Sequence, residues 1–566
     1  MKVVIVGGVA GGASTAARLR RLDENAEIIM FEKSGYISYA NCGLPYYIGG
    51  IIEDKNELTV QTPESFNKRF KIDVRVHHEV IGIDRDSKKV TVKNLTNGEV
   101  FEENYDKLVL STGAKPVKPP IDGIDSPEIF SLRTVEDTFA IYDYIKDKSP
   151  KSVLVVGGGF IGIEAAENMK HRGLEVTIAE AANQVLTILD PDMASGVHSH
   201  LRKKGINLMT GSGVASFEKK GERIITTLSN GQNIQTDFVV LAIGVTPDTA
   251  LAANAGLKQG IKGAISVNDR METSDPHIYA VGDAVEITHY ITGEKSLISL
   301  AGPANKQGRI AADNICGIDS KYTGTQGSSV IKIFDMTAAS TGINEAAAKR
   351  AGIDYDKVVI SPASHASYYP GGTVMTLKIL FEKNTERILG AQIIGFDGVD
   401  KRMDVIATAI RAGLKASELA QLELCYAPPY SSAKDPVNMA GFVIENVTSG
   451  KVSQFHYEDI ENLIKDKGAV LLDTRTTKEY AHGHTEGFIN IPVDELRDRL
   501  DEIPKGKPVY VMCQSGLRSY IACRILTLNG YECSNFSGGY RFYEMVHDDM
   551  LKREAAYSCG MSKKVD

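Results

Sequence analysis

Cysteine is scarce, and paired cysteine motifs are missing. The chain has 566 residues but only seven cysteines, and no C-x-x-C pair occurs among them. That spacing and count exclude a disulfide scaffold and a zinc ribbon. Excess positive charge is also lacking. Sixty-four basic residues against 72 acidic ones leave a net charge of −8, which excludes a generally basic nucleic-acid binder. Long apolar runs are absent as well. The first one stops at Gly7-Gly8, too early for a signal peptide. No run reaches the roughly 18 apolar residues of a membrane span. The chain reads as a cytoplasmic protein, where thiols stay reduced. What is present is ordinary: 24% charged and 43% hydrophobic residues, in a length that suggests about four domains.

The first segment, Lys2-Val3-Val4-Ile5-Val6, is a β-branched run suited to a strand buried on both faces. The cluster Gly7-Gly8-Val9-Ala10-Gly11-Gly12 follows, then a helical stretch from Ala13 to Leu22 and a strand that ends at Glu32. The order recurs later. A strand from Ser152 to Val156 precedes Gly157-Gly158-Gly159-Phe160-Ile161-Gly162, a helix from Ile163 to Arg172, and a strand ending at Glu180. A second echo links Leu108–Pro116 to Val239–Pro247, each a buried strand before a Gly turn and a Pro. Two dinucleotide-binding domains of similar plan are implied.

Gly157, Gly159 and Gly162 satisfy the G-x-G-x-x-G fingerprint in full. Such glycines permit the tight turn, the approach of a pyrophosphate and close helix–strand packing. In the first loop Gly7 and Gly12 fit, but Val9 takes the second-glycine position, with Gly8 and Gly11 beside it. Glu32 and Glu180 are placed to accept from a ribose hydroxyl. Ala181-Ala182-Asn183 follows Glu180 without a cation for a 2′-phosphate, so NADH is favoured over NADPH unless an Arg comes from elsewhere.

Two such folds followed by an α+β region resemble the FAD- and NAD(P)-dependent pyridine nucleotide-disulfide reductases. Thr273–Asp283 matches the family's second FAD motif, and by resemblance Asp283 binds the ribityl chain. The resemblance also implies cofactor contacts from Lys33, Val80, Ser111, Thr112, Gly113 and Arg133. Ala10, Phe160, Ile161 and Gly244 join them. Most disulfide reductases of the family carry C-x-x-x-x-C beside the flavin. Here Cys42 stands alone in Ser38-Tyr39-Ala40-Asn41-Cys42-Gly43-Leu44-Pro45. It must rest as a thiolate, a sulfenate or a mixed disulfide with a small partner.

Single-cysteine members divide into NADH oxidases and peroxidases, with a His in the first glycine loop, and coenzyme A-disulfide or persulfide reductases. Ala10 takes the His position, and both the glycine run and Asn41-Cys42-Gly43-Leu44-Pro45 are similar to coenzyme A-disulfide reductase. Coenzyme A is anionic and needs cations. Arg18 and Arg21 share one helix face, which is equally the pattern of a solvated stripe. The resemblance adds Ser14, Ser38, Asn41, Lys71 and Lys434 as coenzyme A contacts, with Lys71 subject to a one-residue shift. It also implies a homodimer in which Tyr368 and Tyr426 of the partner cover the sulfur site, with Tyr369 and Tyr430 as neighbours easily confused with them.

Near the C-terminus Cys513-Gln514-Ser515-Gly516-Leu517-Arg518 follows an apolar strand and opens a helix from Ser519 to Leu528. A cysteine at such a turn is ringed by N–H groups that lower its pKa and bind an anion. The loop resembles the rhodanese active loop, and Asp473-Thr474-Arg475 and His482–Pro492 match other rhodanese landmarks. A phosphatase loop, one residue longer, is the alternative. Cys513 is expected to carry a persulfide, with Asp473 and Arg518 at the same site. Cys42 and Cys513 are both expected in settings that favour thiolate. Cys523 and Cys533 read as packing residues, as do Cys316, Cys559 and Cys425, although Cys425 sits next to Tyr426 and could line the site.

The expected architecture is α/β: two doubly wound dinucleotide-binding domains, an α+β dimerisation domain and a rhodanese α/β domain. The limits are 1–117 and 247–326 for FAD, 118–246 for NAD, and 327–446 for dimerisation. A linker (447–454), the rhodanese domain (455–555) and a tail (556–566) follow. The expected activity is NADH-dependent reduction of coenzyme A persulfide, polysulfide or coenzyme A disulfide, without metal, membrane or nucleic acid. The alternative is a coenzyme A-disulfide reductase or NADH oxidase with secondary sulfurtransferase activity.

Overall fold

The computed structural model describes residues 1–558. They form two units, Met1–Ala181 with Gly211–Gly327, and Ala182–Thr210 with the remainder. No helix among the described residues is long and apolar enough to cross a membrane.

In the first unit the central strand Lys2–Val6 lies parallel between Glu27–Glu32 and Lys107–Leu110. Ile278–Ala280 and Asp73–Val76 complete the five-stranded sheet. Val3, Val4 and Ile5 are fully buried. Each such side chain contributes roughly 1.5–3 kcal/mol of transfer free energy, which explains why the sheet's centre is a continuous β-branched run. The second sheet repeats the plan: Ser152–Val156 is flanked in parallel by Glu175–Ala179 and Phe238–Leu241. Both helices begin earlier than expected, at Ala10 and Phe160, because the glycine loops turn straight into the first helical turn. The two loops match in detail. A Cβ on Gly12 would stand 1.9 Å from the Gly7 carbonyl, and one on Gly162 would stand 2.0 Å from that of Gly157.

The second unit holds an antiparallel sheet in the order Ser329–Ile333, Met336–Gly342, Ile388–Gly395, Thr376–Glu382 and Tyr355–Ile360. Lys378, fully buried, lies within 3.0 Å of Asp190, Asp192 and Glu345, so the positive charge among these carboxylates comes from the chain itself. A parallel sheet follows, ordered Ser453–Phe455, Cys533–Phe536, Val509–Met512, Val470–Asp473 and Ile489–Asn490.

Half of the expected linker falls within regular elements. The helix Pro436–Thr448 runs into it, and the strand Ser453–Phe455 starts before its end. The expected tail begins inside the helix Gly539–Ser558. Its remainder, with Cys559, lies outside the described residues.

Candidate functional site

Each glycine loop ends in a helix whose first turn carries no acidic side chain, so its free N–H groups face no competing carboxylate of their own helix. Glu32 is buried and accepts from Gly8 N–H at 2.8 Å, and Glu180 accepts from Gly158 N–H at 2.6 Å. The carboxylates thus stand where a ribose would meet the loop. A Cβ on Gly159 would find no atom within 4 Å, which leaves room for a pyrophosphate. At the first loop Ser111 packs against Gly7 and Gly11. The residues of both loops therefore fit a dinucleotide. Thr112 donates to the Asp248 carbonyl, and exposed Lys33 pairs with Asp248 at 3.2 Å. Gly113 and Gly244 both take positive φ. Val80 is the exception among the expected cofactor residues: its side chain belongs to the hydrophobic core, leaving only its backbone for a ligand. Asp283 pairs with Arg133 at 2.7 Å.

Cys42 lies in the short helix Asn41–Gly43, ahead of Leu44–Gly49, and is exposed. Its thiol pKa is raised, chiefly by partial burial of the sulfur and next by Glu164, with Arg133 opposing. This corrects the expectation of a thiolate-favouring setting: the chain's own groups favour the thiol. Sequence reasoning missed Glu164 altogether. It accepts from the Tyr46 hydroxyl at 3.3 Å, and burial pushes its carboxyl up to about 7. Tyr46 lies 118 positions away, so no local pattern could have signalled the pair.

The coenzyme A candidates are spread differently from the simple cation stripe. Arg18 is engaged by Asp313 at 2.8 Å, whereas Arg21 is exposed. Ser14 donates to Asn305. Ser38 takes a positive φ of 43° and donates its N–H to Gly8 O, which ties the Cys42 segment to the first glycine loop. Asn41 opens the Cys42 turn. Lys71, in the left-handed region, caps the helix Pro63–Phe70 with its side chain exposed. Lys434 is also exposed, in the second unit.

In that unit the Tyr368 and Tyr426 hydroxyls are 2.6 Å apart, and both rings are exposed. The bond to Tyr368 raises the Tyr426 phenol. Tyr369 instead packs edge-on against His365. A positioning residue not anticipated from sequence is Arg402, buried at 1% exposure. It donates to Ser364 O (2.8 Å), Tyr430 O (3.2 Å) and Asp435 Oδ2 (3.0 Å). It thereby joins the two loops that carry the tyrosines. A cavity of about 500 Å³ beside them is lined in part by Lys401, Cys425 and Tyr426.

Cys513 is fully buried at the end of Val509–Met512. Gly516 N–H and Ser519 O–H both donate to its sulfur at 3.2 Å. Such donors stabilise negative charge on sulfur. Arg518, at the start of the following helix, is engaged by an acidic side chain. Both its terminal nitrogens bond Glu479 at 2.7 Å, which holds that carboxyl down to about 2. Asp473 lies on the strand beside Met512. It is fully buried and holds Arg475, which reaches Gln514 of the loop at 3.4 Å. Asp473 thus acts on the loop through Arg475.

Comparison with known proteins agrees with this layout. Residues 1–308 match the model of the pyridine nucleotide-disulphide oxidoreductases, 328–436 that family's dimerisation domain, and 456–545 a rhodanese-like domain. An NADH oxidase of Methanocaldococcus jannaschii is 39% identical over 78% of this chain and 98% of its own. A coenzyme A disulfide reductase of Staphylococcus aureus is 38% identical over 78% and 99%. Among solved structures, reduced Bacillus anthracis CoADR-RHD is 50% identical, covers 97% of this chain and 98% of its own, and has a TM-score of 0.95. A NAD-dependent persulfide reductase from A. fulgidus is 40% identical, covers 96% and 100%, and scores 0.90.

Proposed function

Because the chain belongs to the pyridine nucleotide-disulphide oxidoreductase family and carries a rhodanese-like domain, we propose that it uses NADH to reduce coenzyme A persulfide or polysulfide, and coenzyme A disulfide. The observation that carries this reading is Cys42: exposed, unbridged, and next to a loop tied to the first glycine turn. A sulfur with no resolving partner in its own motif must share its bond with one that arrives from outside.

The Cys42 thiolate attacks the inner sulfur of coenzyme A persulfide. The sulfur–sulfur bond breaks, hydrosulfide leaves with its electron pair, and a Cys42–coenzyme A disulfide remains. FAD and NADH, when bound at the two loops, supply the two electrons that open this disulfide, and one proton completes the coenzyme A thiol. Forming the thiolate against the raised pKa of Cys42 needs help, which anionic neighbours such as Glu164 withhold unless protonated. In the first unit Arg21 and Lys71 suit coenzyme A phosphates by exposure, and Ser14, Ser38 and Asn41 suit its polar groups. In the homodimer that a dimerisation domain supports, Tyr368 and Tyr426 of the partner subunit donate a proton to the departing sulfur. Cys513 takes sulfane sulfur into its ring of donors and passes it to coenzyme A. The reaction is placed in the cytoplasm.

The name of the M. jannaschii relative favours NADH oxidation as a second reading, and oxygen uptake without a sulfur acceptor separates the two. The direct test mixes the holoenzyme with coenzyme A persulfide without NADH, then maps peptides by mass spectrometry. Coenzyme A attached to Cys42 is expected. Modification of Cys513 alone would refute the mechanism.

A further inference from the structure

The rhodanese-like domain contains a second pair of thiols outside the Cys513 loop. Cys523 lies on the helix Leu517–Leu528, and Cys533 opens the neighbouring strand Cys533–Phe536. Although the sequence separates them by nine residues, the helix folds back on the strand and brings them together. The Cys533 sulfur is 3.3 Å from the Cys523 carbonyl and 3.3 Å from the Thr527 hydroxyl. Cys523 is 1% exposed in the core, while Cys533 is partly open to solvent. We propose that Cys523 and Cys533 form an oxidisable dithiol, a modification site in which peroxide converts the pair to an intradomain disulfide.

Two features favour Cys533 as the sulfur that reacts first. It is the one solvent can reach. Hydrogen bonds from the Cys523 thiol and from Thr527 also hold its own thiol down to about 7, whereas Cys523 is pushed up. Reactivity toward peroxide follows thiolate character and access. The Cys533 thiolate attacks one peroxide oxygen. The O–O bond breaks, a sulfenic acid forms, and the departing hydroxide takes a proton to become water. The Cys523 sulfur then displaces the sulfenic hydroxyl and gives up its proton, so a second water leaves as the S–S bond closes. One peroxide and two thiols thus yield one disulfide and two waters.

The pair spans elements that also frame Cys513. Ser519, on the same helix as Cys523, donates to the Cys513 sulfur. Asn535, two residues beyond Cys533, donates to Gly516 O at 3.2 Å. Cys513 itself is fully buried, so within this domain peroxide meets Cys533 before Cys513.

The test treats the full holoenzyme with stoichiometric hydrogen peroxide, alkylates it under denaturing conditions and maps peptides without reduction. The expected result is a cross-linked peptide joining positions 523 and 533. It should disappear on treatment with dithiothreitol and be absent in Cys533→Ser. Oxidation of Cys533 to sulfinate while Cys523 stays alkylatable would overturn the proposal. So would a cross-link from either residue to Cys513 in its place.

Discussion

The Tyr46 hydroxyl donates to Glu164 Oε1 across 3.3 Å, joining the helix after Cys42 to the helix that leaves the second glycine loop. Burial holds Glu164 at about 7 against an ordinary 4.5. The folded chain therefore binds more protons than the unfolded one between those values, and this group's effect lowers stability as pH rises through that window. Glu164→Gln cannot ionise. It should raise the urea midpoint above about pH 7 and leave it unchanged below about 4.5. Removing the like charge should also lower the pH midpoint for alkylation of Cys42, because Glu164 is among the groups that raise that thiol. Equal midpoints in the two proteins would contradict the coupling.

Arg475 is 2% exposed and depends on Asp473 for its counter-charge. Asp473→Asn leaves that guanidinium buried without a full partner, at a cost of about 3 kcal/mol. The rhodanese-like domain should unfold earlier in a thermal scan, while the flavin-linked reaction with coenzyme A disulfide keeps its rate.

Tyr368 and Tyr426 share one hydroxyl–hydroxyl bond of 2.6 Å. Either Tyr→Phe change removes the same bond. Persulfide turnover should therefore fall by a similar factor, roughly tenfold, in each single variant, and the double variant should be little worse. Additive losses would mean that the hydroxyls act separately.

Arg518→Lys keeps the charge but loses the two-pronged grip on Glu479. Sulfur transfer from thiosulfate to cyanide should fall about tenfold, the scale of one strong charge-assisted bond. Reduction of coenzyme A disulfide should not change.

How much of this could be read from sequence follows from how local each feature is. The glycine loops were legible because Gly7 and Gly12, or Gly157 and Gly162, meet within one turn. Cys513 was legible because its donors lie three and six residues ahead. Helix starts at Ala10 and Phe160 were set too late, since glycine clusters read as loop while the backbone was already helical. Glu164 and Arg402 were invisible. Their partners arrive from distant segments, Tyr46 in one case and Ser364 and Asp435 in the other. For the same reason the effect of the surroundings on Cys42 was assigned the wrong sign. Its motif is local, but the burial and the carboxylate that raise its pKa are tertiary.

The central claim is that Cys42 is the sulfur through which NADH reduces external sulfane sulfur. The most direct measurement follows NADH oxidation by the wild type, Cys42→Ser and Cys513→Ser with coenzyme A persulfide, coenzyme A disulfide, polysulfide and peroxide in turn. The account predicts turnover with the sulfur acceptors and little with peroxide. Cys42→Ser should lose at least a thousandfold with every acceptor, as expected when a covalent nucleophile is removed. Cys513→Ser should keep coenzyme A disulfide reduction and lose only what depends on polysulfide. Persulfide turnover that survives in Cys42→Ser would contradict it.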